Sequence, residues 1–334
     1  MIRSENDTSM RPLISVVMAT YNGEKFIEEA IQSVLDQTFK DFEFIIVDDG
    51  SIDATATIIS SFKDDRIVYF KKDNNTGIAD SLNIGIAKAK GIYIARMDDD
   101  DVCMLERFEK QLEVFEINKN IILCGTNVLD KNSRTLKAPE QHIDILMKLI
   151  FVNPIYHPTV LIKRDLLLTH KYNPKKVPAE DHDLWSRLIF EGQFYQLQEP
   201  LLYCRRHETS VTANRRIEQL QHNISISKFV YDKIGFNHLK NHDENIEIFA
   251  SHDYSITGRQ LKNLTNWFQE LKLENERIGK FSVQKFNDLV NVNLEWFIIS
   301  FFTNNKLMKK VFPFLYLNFA IKMSILRYYF NKYF

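Results

Sequence analysis

The chain has 334 residues, with 43 Lys and Arg set against 44 Asp and Glu. That near-neutral balance lacks the basic excess of a nucleic-acid binder, so no nucleic-acid partner is expected. Hydrophobic residues at 45% and charged residues at 26% suit a globular chain and exclude a mainly disordered one.

The N-terminal stretch 1–11 is polar and reads as a tail. The first apolar run, Leu13–Ala19, is short and ends in a polar turn, which predicts a buried strand rather than a signal peptide. Glu24–Asp36 carries Phe26, Ile27, Ala30, Ile31, Val34 and Leu35 at helical spacing. Phe44–Val47 predicts a second strand, ending in Asp48-Asp49-Gly50-Ser51, and Asp53–Phe62 a second helix. Ile67–Phe70 reads as a strand, Ile78–Ala89 as a helix, and Gly91–Met97 as a strand cut off by four aspartates, Asp98 to Asp101. A helix over Glu106–Ile117 and a strand over Ile121–Val128 follow. Beyond about residue 132 the pattern loosens, with a helix over Ile143–Phe151, a strand over Thr159–Ile162 and a helix over Glu180–Phe190. After about residue 215 only helical patterns remain.

Strands alternating with helices at this spacing predict an α/β fold built of βαβ units around a mostly parallel, twisted sheet with helices on both faces. Right-handed crossovers put the C-terminal strand ends on one edge, where ligands of open α/β sheets bind. Three polar clusters fall there: Thr20-Tyr21-Asn22, Asp48-Asp49 and Asp98 to Asp101. The expected organisation is a catalytic domain over 12–214, its nucleotide half reaching about 130, and a helical region over 215–334.

Asp98 and Asp100 can face the same way on an extended chain, and two hard oxygen ligands suit Mg2+ or Mn2+. The plainer reading is a solvated acidic loop. Asp48 and Asp49 suit either a nucleotide's donor groups or the N-terminus of the next helix. Asp181, in Glu180-Asp181-His182-Asp183, is either a capping acid or a carboxylate able to take a proton from a substrate hydroxyl. Tyr203-Cys204-Arg205-Arg206-His207 is either an exposed basic turn or a partner for leaving-group charge. A G-x-G-x-x-G fingerprint is missing from the chain, which disfavours a nicotinamide or flavin enzyme. Cys103, Cys124 and Cys204 form no C-x-x-C pair, so a reducing cytoplasm fits better than a disulfide or zinc framework.

Together the runs PLISVVMATYNGEKFIEEAIQSVLDQTFKDFEFIIVDDGSIDAT, NNTGIADSLNIGIAKAKGIYIARMDDDD and AEDHDLWSRL resemble glycosyltransferase family 2, over roughly residues 12 to 210. The resemblance implies a GT-A sheet and an inverting transfer from a nucleotide sugar, with a UDP-sugar expected. It implies Thr20, Tyr21, Asp49, Asp98, Asp99 and Arg206 around that donor. The metal would be held by Asp100 with Asp98 and His207, and Asp181 would be the general base. Many relatives have a small residue where this chain has Asp99. A glycan or lipid-linked glycan is the implied acceptor, in bacterial surface polysaccharide synthesis.

Two other readings stand beside it. A nucleotidyltransferase would also use paired acids, but Ala19–Lys25 offers only Gly23 and Lys25 for a triphosphate. A non-catalytic glycan-binding subunit would have no need of Asp181. Residues 296–334 hold six Lys or Arg, thirteen aromatics and no Asp or Glu. That composition suits either an anionic membrane surface at the inner face of the cell membrane or a helical layer packed on protein.

Overall fold

A computed structural model describes residues 11–205, 216–252 and 254–304. Three parallel βα steps open the fold. Strand β1 (Ile14–Thr20) is followed by helix α1 (Ile27–Leu35), β2 (Phe42–Asp48) by α2 (Thr55–Ser61), and β3 (Ile67–Lys71) by α3 (Ile78–Lys88). Then come β4 (Tyr93–Met97), β5 (Val102–Cys103), α4 (Arg107–Ile117), β6 (Ile121–Leu129) and β7 (Thr135–Leu136). The chain continues through α5 (His142–Leu149), β8 (Leu161–Lys163), α6 (Arg164–Thr169), α7 (Glu180–Leu188) and β9 (Gln193–Tyr203).

These strands form one sheet in the order β3-β2-β1-β4-β8-β6-β9-β5, with β7 paired to β6. Its long ladders, β1 with β2 and β4, β2 with β3, and β6 with β9, are parallel. The antiparallel pairings span only two or three residues. The sheet is therefore mostly parallel, as the βαβ rhythm requires.

Strand periodicity assigns the two faces. Ile14, Val16 and Met18 of β1 join Ala30, Ile31 and Phe108 from α1 and α4 in one core. On the other face Val17 meets α3, where a Cβ on Gly85 would come within 2.6 Å of it. Gly91 is required for a similar reason. A Cβ there would sit 2.5 Å from the backbone nitrogen of Ser15, so only glycine lets the lead-in to β4 pass β1.

Strand β9, α6 and the short β5 and β7 are structure beyond what the sequence pattern predicts. Strand β9 carries Glu199 and Pro200, residue types disfavoured within strands. The ladder with β6 absorbs Pro200 through a register shift between Thr126 and Asn127.

The described residues divide into two compact units, and the continuous chain passes from one to the other between 146 and 147, 152 and 153, and 219 and 220. The sheet belongs to the first unit. The second takes in residues 147–152 and the chain from 220, with helices α8 (Arg216–Ile234), α9 (His242–Ala250), α10 (Gly258–Ile278) and α11 (Val283–Asn304). Its core is aromatic, with Tyr231, Trp267, Phe268, Phe286 and Phe297 all buried. Thr257 and Gln260 close a capping box at the start of α10, and Gly279 at φ 63° ends it.

Candidate active site

The strand ends β1, β2 and β4 bring the first two acid clusters to one edge. Register does this. Thr20 lies opposite Asp48, and Met18 opposite Met97. Two residues further along, the Thr20 hydroxyl donates to the Asp99 carboxylate. A Cβ on Gly23 would lie 2.5 Å from that same carboxylate, so the turn after β1 is shaped around Asp99.

The two aspartates after β2 do different work. Asp48 is fully buried and holds the turn: its Oδ1 accepts from Ser51 N at 2.7 Å and its Oδ2 from the Tyr69 hydroxyl at 2.8 Å. Asp49, 3% exposed, takes three donors. Its Oδ1 accepts from Thr76 N at 2.9 Å and pairs with Lys72 Nζ at 2.7 Å, and its Oδ2 accepts from Gly77 N at 2.8 Å. A carboxylate has about four lone-pair positions. Among the described residues one position, on Oδ2, is left. Burial pulls Lys72 down, but Asp49 and Asp80 outweigh it and raise its pKa.

Asp98 to Asp101 follow β4. Arg96 lies two residues before Asp98 and so on the same strand face, and its guanidinium pairs with the Asp98 carboxylate. Burial raises Asp98, and Arg96 opposes the rise. Asp99 is pushed up to about 7, chiefly by burial, against the Thr20 hydrogen bond. Burial, then Asp98 and Asp100, raise Asp101 well above the usual range, although Arg205 N donates to its Oδ1 at 2.9 Å. Carboxylate oxygens of Asp98, Asp100 and Asp101 lie within 4.8 Å of one another. The other oxygen of buried Asp101 has no hydrogen-bond donor among the described residues. Clustered hard oxygens of this kind fit a divalent cation.

The third cluster comes from the start of α7, after a cis Val177-Pro178 bond. Asp181 accepts from its neighbour's His182 N on Oδ1 at 2.7 Å and from Asn153 Nδ2 on Oδ2 at 2.9 Å. Burial raises Asp181, and His182 opposes the rise. Glu180, buried, is pushed up to about 7 by burial and then by the charge of Asp181. Asp181 in turn helps to raise Asp98. Arg96 acts on all of them, lowering Asp98, Asp99, Asp101, Glu180 and Asp181. Acids from β4 and α7 therefore share one buried guanidinium. Beside it His157 Nε2 meets the Tyr172 hydroxyl at 2.7 Å, and burial with Arg96 keeps His157 well below its usual value, hence neutral.

Thr20, Asp98, Asp99, Asp100 and Asp181 thus gather on one unit, with Tyr21 exposed beyond Thr20. Arg206 and His207 lie outside the described residues. Arg96 and Asn153 are additions that the sequence reading lacked, and Asp101, read there only as part of the acid run, joins Asp98 and Asp100 in the oxygen cluster. Arg96 stands two positions before that run but carries no motif of its own. Nor does Asn153.

The sequence profile of glycosyl transferase family 2 matches residues 15–177. A glycosyltransferase of Methanocaldococcus jannaschii is 38% identical over 202 residues, spanning 58% of this chain and 70% of its own. The chain belongs to glycosyltransferase family 2. It is a glycosyltransferase, and its relatives in the family include the Escherichia coli O-antigen biosynthesis glycosyltransferase WbnJ, 32% identical over 59% of this chain and 81% of that one. The fold is also that of Staphylococcus aureus TarS, crystallised as residues 1–349 with UDP-GlcNAc. That likeness has a TM-score of 0.58 at 16% identity and covers 95% of this chain and 92% of the crystallised 1–349 chain. Within the family frame the sheet is of GT-A type, and the acid run after β4 is compatible with a D-x-D element.

Proposed function

We propose that this family 2 enzyme moves a sugar with inversion from a nucleotide sugar to a hydroxyl of a glycan or lipid-linked glycan, in bacterial surface polysaccharide synthesis. The observation that carries this reading is the cluster of Asp98, Asp100 and Asp101 oxygens within 4.8 Å of one another, with Arg96 paired to Asp98 and in electrostatic reach of Glu180 and Asp181. Such an arrangement gives one place where a donor's charge and an acceptor's proton can both be handled.

Asp100 and Asp98 would hold Mn2+ or Mg2+, with His207 assigned by family resemblance. The divalent ion would supply Lewis-acid stabilisation of the departing diphosphate. Asp181 takes the proton from the acceptor hydroxyl, which then attacks the anomeric carbon from the face opposite the nucleotide. The sugar passes through an oxocarbenium-like state, so no covalent enzyme intermediate is needed. Arg206 is assigned to the diphosphate, and Thr20, Tyr21, Asp98 and Asp99 to the nucleotide side.

The lone-pair count at Asp49 favours uridine. Uracil offers its pairing edge a single N–H, matching the one position left on Oδ2. Guanine offers two kinds of donor on that edge and would need a second acceptor. A UDP-sugar is therefore the preferred donor. The O-antigen biosynthesis role of the relative WbnJ supports the pathway. No described helix is long and apolar enough to cross a membrane. We place the enzyme in the cytoplasm, with the basic and aromatic stretch 296–334 at the inner membrane face.

The test is a thermal-shift panel of UDP- and GDP-sugars, each with and without Mn2+. A ligand that binds only the folded state raises the melting temperature, by an amount set by its concentration over its Kd. A shift with UDP-sugars that depends on Mn2+ is expected. A response confined to GDP-sugars would overturn the uridine assignment.

A further inference from the structure

The pairing of Asp181 with Asn153 has a chemistry of its own. Asn153 comes just before a proline, which biases it toward extended backbone. Its Oδ1 accepts from Ile155 N at 3.1 Å, an Asx turn that settles which way the amide points. With the oxygen so committed, only the NH2 can face Asp181, and it donates to Oδ2 at 2.9 Å. The loop is tied down again one residue later, where Pro154 O accepts from Gln196 Nε2 of β9 at 3.1 Å, and Ile155 itself is buried. A rigid amide therefore holds one oxygen of Asp181 while the start of α7 holds the other through His182 N.

We propose that Asn153 is a positioning residue for the reaction, fixing the plane of the Asp181 carboxylate so that its remaining lone pairs meet the acceptor hydroxyl. The inference rests on the reading of Asp181 as the base. An amide suits the task because it donates without titrating, so it orients the base and brings no competing proton acceptor. A loose carboxylate would spend much of its time in rotamers that miss the hydroxyl. Misplacement by about 1 Å costs on the order of 100-fold in rate.

The discriminating variant is Asn153→Asp. It keeps the size of the residue and the oxygen that closes the turn with Ile155, and exchanges the donor for a carboxyl group whose charge also acts on Asp181, so kcat is read across a pH range: a loss that persists on the high-pH plateau is the positioning effect. Asn153→Ala removes both. The full chain is assayed by UDP release from the UDP-sugar that responds in the thermal-shift panel, with water as the acceptor whose proton Asp181 takes and free sugar as the second product, and its UDP affinity in Mn2+ is measured by titration calorimetry. We expect kcat to fall roughly 10- to 100-fold in both variants, with donor KM and UDP affinity within about twofold of wild type. A structural role alone predicts a different split: Asn153→Asp would rescue the turn and keep its turnover, and only Asn153→Ala would suffer. Wild-type kcat in Asn153→Asp overturns the proposal. Asp181→Asn serves as the comparator. If it turns over normally, the base reading itself fails; if it is inactive while Asn153→Asp is active, only the positioning role fails. Should Asn153→Ala not fold, the isosteric Asn153→Asp still decides.

Discussion

At the scale of single residues, the site is a problem of excess negative charge. Asp98 to Asp101, Glu180 and Asp181 are crowded at a partly buried edge, with Asp101 and Glu180 buried, and Arg96 is the guanidinium that acts across the raised ones. Glu180 shows how the protein tolerates this: burial and Asp181 push it up to about 7 from an ordinary 4.5. A raised acid binds its proton more tightly folded than unfolded, so its stabilising effect is present at low pH. That effect is lost as pH rises from about 4.5 through about 7. The Glu180→Gln variant, neutral throughout, escapes the loss. Thermal melts of the two proteins between these limits should diverge, with wild type losing ground to the variant as pH increases. Curves that stay parallel would show that Glu180 is not held protonated by its surroundings. The acids were legible in the sequence because runs of aspartate at strand ends are rare and costly. Arg96 was less so, since a lone arginine in an apolar strand reads as a surface residue until its neighbours are known.

At the scale of elements, strand register and one glycine decide where the acids stand. Apolar runs of four to eight residues with intervening helical faces made β1 to β4, β6 and α1 to α4 readable, with ends that differ by at most three residues. Strand β9 was not readable: its polar and proline content conflicts with a strand pattern, and only pairing with β6 over most of its length overrides it. The entry to β4 gives a direct test. A methyl group at Gly91 meets Ser15 N at 2.5 Å and the Ile14 carbonyl carbon at 2.7 Å, backbone atoms that cannot rotate away. Gly91→Ala is expected to cost about 1–3 kcal/mol in denaturant unfolding, by forcing β4 off β1. It should also weaken UDP binding, because Asp98 and Asp99 follow that strand. Unchanged stability would mean that the two strands can part without penalty.

At the scale of the whole molecule, two compact units carry different kinds of information. The sheet unit holds the acids. The helical unit is built on buried aromatics, and its chain runs on into a stretch whose six basic residues and absence of acids suit an anionic surface. If that stretch binds membrane, the full chain should co-float with vesicles containing anionic lipid, and a chain ending at residue 304 should not. Binding should weaken as salt rises. Equal flotation of both chains would assign any membrane contact elsewhere. The sequence by itself determined the βαβ rhythm, the family and the identity of most acids, because hydrophobic periodicity and strand-end chemistry are local properties of the chain. Only the tertiary structure decided that Asp49 keeps a single open position, that Arg96 serves acids from two distant segments, and that Asn153 grips Asp181. Each of these depends on groups far apart in sequence meeting at hydrogen-bonding or charge-coupling range, and no pattern along the chain encodes that distance.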